Sequence, residues 1–114
     1  MWLRDAPGIV TADELQLTVD YIASVQLSTG MVPWFEGGHA DPWNHTEALM
    51  ALMIGGKRAE AERGFDWLVA NQRPDGAWDA ENLERDRPFG NSYTTALVVL
   101  SLGAPNQFLP VFQR

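Results

Sequence analysis

The chain has 114 residues, a length that predicts one domain with a modest core. Hydrophobic residues make up 46% and charged residues 20%, a globular balance that argues against disorder. A formal net charge of -7 offers a phosphate backbone no basic stripe, so no nucleic-acid partner is expected. The lack of cysteine excludes disulfides, thiol catalysis and cysteine-held metals.

The first helix signal is Thr11-Ala12-Asp13-Glu14, a capping box in which threonine and glutamate satisfy each other's backbone. Leu15, Val19, Ile22 and Val25 or Gln26 follow at helical spacing, and Ser28-Thr29-Gly30 predicts a stop near Leu27. Gly37-Gly38 keeps the chain in a loop to about Ala40. A second helix opens at Asp41-Pro42, with aspartate at the cap and proline at the first helical position. Asn44, with Glu47 three residues on, is an alternative start. Ala48, Leu49, Ala51, Leu52 and Met53 are apolar on nearly all sides, the mark of a buried helix that ends at Gly55-Gly56.

The third helix is expected over residues 57–71. Ala61, Phe65, Leu68 and Gln72 form one stripe, and Glu60, Glu62, Arg63 and Asp66 form the wet face. Pro74-Asp75-Gly76 stops it, and residues 79–90 read as a polar, solvated loop. A fourth helix is capped by Asn91 or Ser92, carries the apolar run 96–100 and ends at Gly103. The tail, 105–114, holds Phe108, Leu109, Val111 and Phe112, with Pro110 opposing a long helix.

These elements are written twice. Tyr21, Ile22, Gln26 and Gly30 recur as Trp67, Leu68, Gln72 and Gly76. The run from Thr46 to Gly55 recurs from Thr94 to Gly103. Repeat 1 spans about 11–56 and repeat 2 about 57–104, each a wet outer helix, a turn and a more apolar inner helix. That pattern predicts an all-α fold in which outer helices see water and inner helices are covered by neighbours.

The stretch from Arg63 to Trp78 resembles the QW repeat of the terpenoid cyclases at every constrained position: Arg63, Gly64, Trp67, Leu68, Gln72, Asp75, Gly76 and Trp78. The resemblance covers most of residues 12–104 and implies the terpenoid cyclase and protein prenyltransferase superfamily. Its fold would be two helical hairpins of an α/α toroid whose inner helices line an apolar, isoprenoid-binding cavity. The motif itself reads as structural. Asp75-Gly76 makes a tight turn, Trp78 returns to the helix end, and Gln72 bonds free backbone groups there or on the neighbouring outer helix.

The apparatus that the resemblance implies is incomplete. The family's aspartate-rich acid motif would fall at Pro42-Trp43-Asn44-His45-Thr46-Glu47, which has no paired carboxylates. The prenyltransferases' zinc set needs a cysteine, and no aspartate run suits a magnesium diphosphate. Whether the chain is an enzyme is therefore open, the alternative being a non-catalytic repeat domain that binds a protein partner or apolar ligand. The weak catalytic candidates are Asp41, His45 and Glu47. His39, Asp41 and His45 lie within seven residues and are weak metal candidates, weighed against loop, cap and packing roles. Trp34, Phe35, Trp43 and Tyr93 precede or open the inner helices and are candidates for a cavity mouth, with interlayer packing as the plainer role. No motif implies a cofactor.

Two hairpins do not close a ring, so self-association, further repeats or cover from the tail is expected. The most apolar stretches, 48–56 and 96–104, are nine residues each, against about 20 for a membrane span. The segment 1–8 holds an acid and a proline where an export signal needs an apolar run, so the expected location is cytoplasmic.

Overall fold

The computed structural model describes residues 3–79 and 90–103. Four helices follow in order: α1 (Ala12–Val25), α2 (Pro42–Ile54), α3 (Arg58–Ala70) and α4 (Gly90–Gly103). The fold is all-α. Among the described residues the only strand-like feature is an isolated bridge between Ala6 and Val10. No described helix is long and apolar enough to cross a membrane.

Local chemistry sets most boundaries. The Thr11 hydroxyl accepts from the Glu14 N–H at 3.2 Å, and the Glu14 carboxylate accepts from the Thr11 N–H at 2.8 Å. Asp41 caps α2 by accepting from the Asn44 N–H, with Pro42 as the first helical residue. Two ends differ from expectation. α1 stops at Val25 because Gln26 turns to extended backbone, which frees its side chain for longer-range bonds. α4 starts at Gly90, ahead of Asn91 and Ser92. Gly90 has φ +57, a conformation that glycine enters without a Cβ clash. Most of the expected polar loop, and the tail from residue 104, lie outside the described residues.

The two turns after α1 and α3 have the same wiring, 46 residues apart. Leu27 N–H donates to the Met31 carbonyl, Gly30 N–H to Leu27, and Gln26 Nε2 to Gly30 (2.9 Å each). Arg73 N–H donates to Ala77, Gly76 N–H to Arg73, and Gln72 Nε2 to Gly76 (2.8 to 2.9 Å). Gly30 and Gly76 sit at φ +91 and +87, where an L side chain is strained.

α2 is the hub and packs against α1, α3 and α4. One buried cluster joins Val19, Val32, Leu49, Leu52 and Ala61. A second joins Leu68, Trp78 and Val98, flanked by Trp43 and Trp67. Two apolar expectations hold only in part. Val99, Leu100 and Leu102 of α4 are exposed, so that helix is covered on one face, through Thr94 and Val98. Gln72 is exposed and does not extend the α3 core stripe.

Trp78 closes the second cluster. Its indole N–H donates to the Leu68 carbonyl at 2.9 Å, and its backbone N–H donates to Thr95 Oγ1 at 3.1 Å. Replacing Trp78 with alanine is expected to cost about 3–5 kcal/mol, the usual range for an indole cavity. Phenylalanine should restore most packing and lose about 1 kcal/mol for the missing indole bond. Urea unfolding of the three proteins measures both.

Candidate functional site

The predicted site residues collect around the N-terminal end of α2, where the structure divides them between structural bonds and an exposed aromatic surface. Asp41 is buried, and both its oxygens are engaged. Oδ1 accepts from the Asn44 N–H at 2.9 Å. Oδ2 accepts from the Trp34 indole at 2.6 Å and from Asn44 Nδ2 at 2.8 Å. A carboxylate committed to three donors is a latch between the 34–40 loop and α2, with little capacity left to move a proton.

His45 is 1% exposed and also fully committed. The Val32 backbone N–H donates to Nδ1 at 3.1 Å, so Nδ1 carries no proton. The proton therefore sits on Nε2, which donates to the Gly64 carbonyl at 2.8 Å. The ring ties the loop, α2 and α3 together and lies 4.4 Å, centroid to centroid, from Trp67. Burial holds its pKa below the ordinary histidine value, against the opposing pull of the Gly64 bond and the Asp41 charge.

His39 packs its ring against Trp34 at 5.2 Å and edge-on to Phe35 at 6.0 Å. Asp41 accepts three hydrogen bonds and both ring nitrogens of His45 are bonded, so the seven-residue cluster is not arranged as a ligand set. No three His, Asp or Glu side chains converge on a metal-sized site among the described residues.

Glu47 is the candidate carboxylate that faces solvent. Its Oε1 accepts from the Trp43 indole at 2.9 Å, one helical turn earlier. Trp43 meets Tyr93, near the start of α4, edge to face at 6.5 Å and 80°. Trp43, Glu47 and Tyr93 thus form a half-open aromatic and carboxylate surface across the ends of α2 and α4. Trp34 borders a separate cleft of about 300 Å³, shared with Tyr21, Ile22, Val25, Val32, Pro33, Asn44 and Ala48. Phe35, Trp43 and Tyr93 are not among the residues lining the cleft that Trp34 borders. In the first turn, Val32 stands at the position Trp78 occupies in the second.

Sequence reasoning missed the tie from His45 to Val32 and Gly64. Its partners lie 13 and 19 residues away, and no local pattern marks them. It also missed the Trp43–Glu47 bond, although the i, i+4 spacing was available to find it.

No protein-family model matches the chain. Over 72 residues, 63% of this chain, it is 47% identical to an MMP endo-(1,4)-3-O-methyl-alpha-D-mannosidase of Mycolicibacterium hassiacum. Over 45 residues, 37% of this chain, it is 53% identical to a squalene–hopene cyclase of Alicyclobacillus acidocaldarius. The matches cover 20% and 7% of those two proteins, so the chain spans a small part of each.

The His45 geometry fixes a pH dependence. The fold favours the neutral ring, so the unfolded chain takes up the proton first. The stability that His45 confers is full above the ordinary histidine value of about 6.5 and declines as pH falls through it. Urea midpoints at pH 7.5 and 5.5 should fall more for the native chain than for His45→Gln, which cannot titrate. Equal falls would place the loss on other groups.

Proposed function

We propose that this chain is a helical-repeat element of a carbohydrate-active protein, and that its ligand surface is the Trp43–Glu47–Tyr93 face at the ends of α2 and α4. The single observation that carries this reading is the pairing of two mutually braced aromatic rings with a solvent-facing carboxylate. A methylated saccharide has C–H and methyl-ether faces that pack on aromatic rings, and hydroxyls that donate to a carboxylate. The resemblance to a protein named as a 3-O-methyl-mannosidase supports this class of ligand.

Glycoside hydrolysis ordinarily takes two carboxylates across the scissile bond. Asp41 does not fit the second role, because the Trp34 and Asn44 bonds hold both its oxygens. Glu47 is the residue assigned here to touch the sugar, as a binding group or as one half of such a pair. Residues outside this face would have to supply the other half.

A second reading has its own support. The QW-like segment and the partial likeness to squalene–hopene cyclase favour an isoprenoid or other apolar ligand against the same aromatics. Under that reading the chain acts as cavity wall, since no paired carboxylates stand at the head of α2.

Titration of the full chain with a 3-O-methylmannose oligosaccharide, and separately with squalene, read by tryptophan fluorescence, separates the two. The first reading predicts a saturable response to the saccharide that Trp43→Ala and Glu47→Ala each reduce at least tenfold. A saturable response to squalene alone would transfer the surface to the isoprenoid reading. No response to either would overturn both.

A further inference from the structure

The two turns of matched wiring carry different chemistry at their tips. In the first, Thr29 precedes the positive-φ Gly30, and its hydroxyl accepts from the Met31 N–H at 3.4 Å. In the second, Asp75 precedes Gly76, and its Oδ1 accepts from the Ala77 N–H at 3.1 Å. A hydroxyl therefore suffices for that turn bond. The carboxyl of Asp75 adds an electrophilic carbon beside the Gly76 nitrogen. Asp75–Gly76 is the one Asp–Gly step in the sequence, and Asn–Gly does not occur.

The surroundings differ as well. Gly30 is buried, and the place of its Cβ is taken by the Arg63 backbone. Gly76 is exposed, with nothing nearer to a built Cβ than the Gln72 amide at 4.0 Å, and the Asp75 side chain is 61% exposed. The second tip thus has the room and the water that ring closure onto a glycine nitrogen requires. Three contacts oppose closure. The Ala77 N–H holds one carboxyl oxygen, Arg73 Nε holds the other at 3.4 Å, and the Gly76 N–H donates to the Arg73 carbonyl at 2.9 Å. The Ala77 bond, and then the Arg73 charge, keep the Asp75 carboxyl below the usual carboxylate range. At neutral pH this depletes the neutral acid, the form that can lose water. Arg73 is itself anchored by Asp79 Oδ1 at 2.8 Å, whereas the first turn has Leu27 at its position.

We propose that Asp75–Gly76 is a site of spontaneous isomerisation to isoaspartate, and that Arg73 is the positioning residue that restrains it. The Gly76 nitrogen bonds to Asp75 Cγ, and one carboxyl oxygen leaves as water with the amide proton and the acid proton. The product is a cyclic succinimide, which water opens. Cleavage between the nitrogen and Cγ restores aspartate. Cleavage between the nitrogen and the Asp75 carbonyl carbon leaves the main chain running through Cβ and Cγ, with the former carbonyl as a free carboxylate. One water leaves and one returns, so no co-reactant is needed. The extra backbone atom falls between Gln72 and Trp78. It would break the Gln72–Gly76 bond and draw Trp78 from the Leu68 carbonyl. The proposal stands whichever ligand class occupies the Trp43 face.

The test incubates the folded full chain, Arg73→Gln and Arg73→Lys at pH 7.5, beside a capped peptide of residues 70–79. Isoaspartate is read, after denaturation, as resistance of the Pro74–Asp75 bond to a protease that cleaves before aspartate. The native chain should convert about tenfold more slowly than the peptide, because the folded turn withholds the attack geometry. Arg73→Gln should convert about threefold faster than the native chain, a modest factor because the contact is exposed. Arg73→Lys, which keeps the cation, should restore most of the restraint. Equal rates for the native chain and the peptide would overturn the proposal, as would Arg73→Gln at the native rate. So would an absence of conversion in every folded protein once the peptide has reacted fully.

Discussion

The arrangement depends on how closely α3 approaches the α1–α2 pair. Two glycines permit that approach: Gly30 against the Arg63 backbone and Gly64 against Leu49. Once α3 is that near, its backbone carbonyls come within reach of side chains from the preceding elements. Gln26 bonds the Glu60 carbonyl and His45 the Gly64 carbonyl. Apolar burial of Leu49, Leu52 and Ala61 provides the drive, and the polar bonds fix the register. A helix held only by greasy contact could slide, whereas one whose carbonyls are claimed at Glu60 and Gly64 cannot slide without leaving buried polar groups unpaired.

The same economy decides what the titratable groups can do. Asp41 and His45 look chemical in sequence, yet each is consumed by holding a loop to a helix. Of the candidate site residues, Glu47, His39, Trp34, Phe35 and Tyr93 face solvent, and no two carboxylates among them stand together as a tuned pair would. His45 points to the core, and Trp43 and Glu47 lie on the outer side.

Features whose partners are close in sequence were legible in advance. The Thr11–Glu14 box, the Asp41 cap with Pro42, and the positive-φ turn at Gly76 each involve residues within four positions. The duplication pointed to the all-helical architecture because it repeats one helical period at fixed order. Long-range terms escaped. Nothing around His45 signals that Val32 and Gly64 will meet both its ring nitrogens. Nothing in the apolar composition of α4 tells that Val99 and Leu100 remain exposed while Val98 is buried. The start of α4 at Gly90 was missed for a different reason: Asn91 and Ser92 are good caps, but a positive-φ glycine begins the helix first.

The most direct test of the close approach is the unfolding free energy of Gly64→Ala. In an ordinary helix interior this change stabilises by about 1 kcal/mol, because alanine is the better helix former. Here the added methyl meets the side chain of Leu49, which is itself fully buried, so overpacking should win and the protein should lose about 1–3 kcal/mol. A neutral or stabilising result would mean that α3 does not lie where this account puts it.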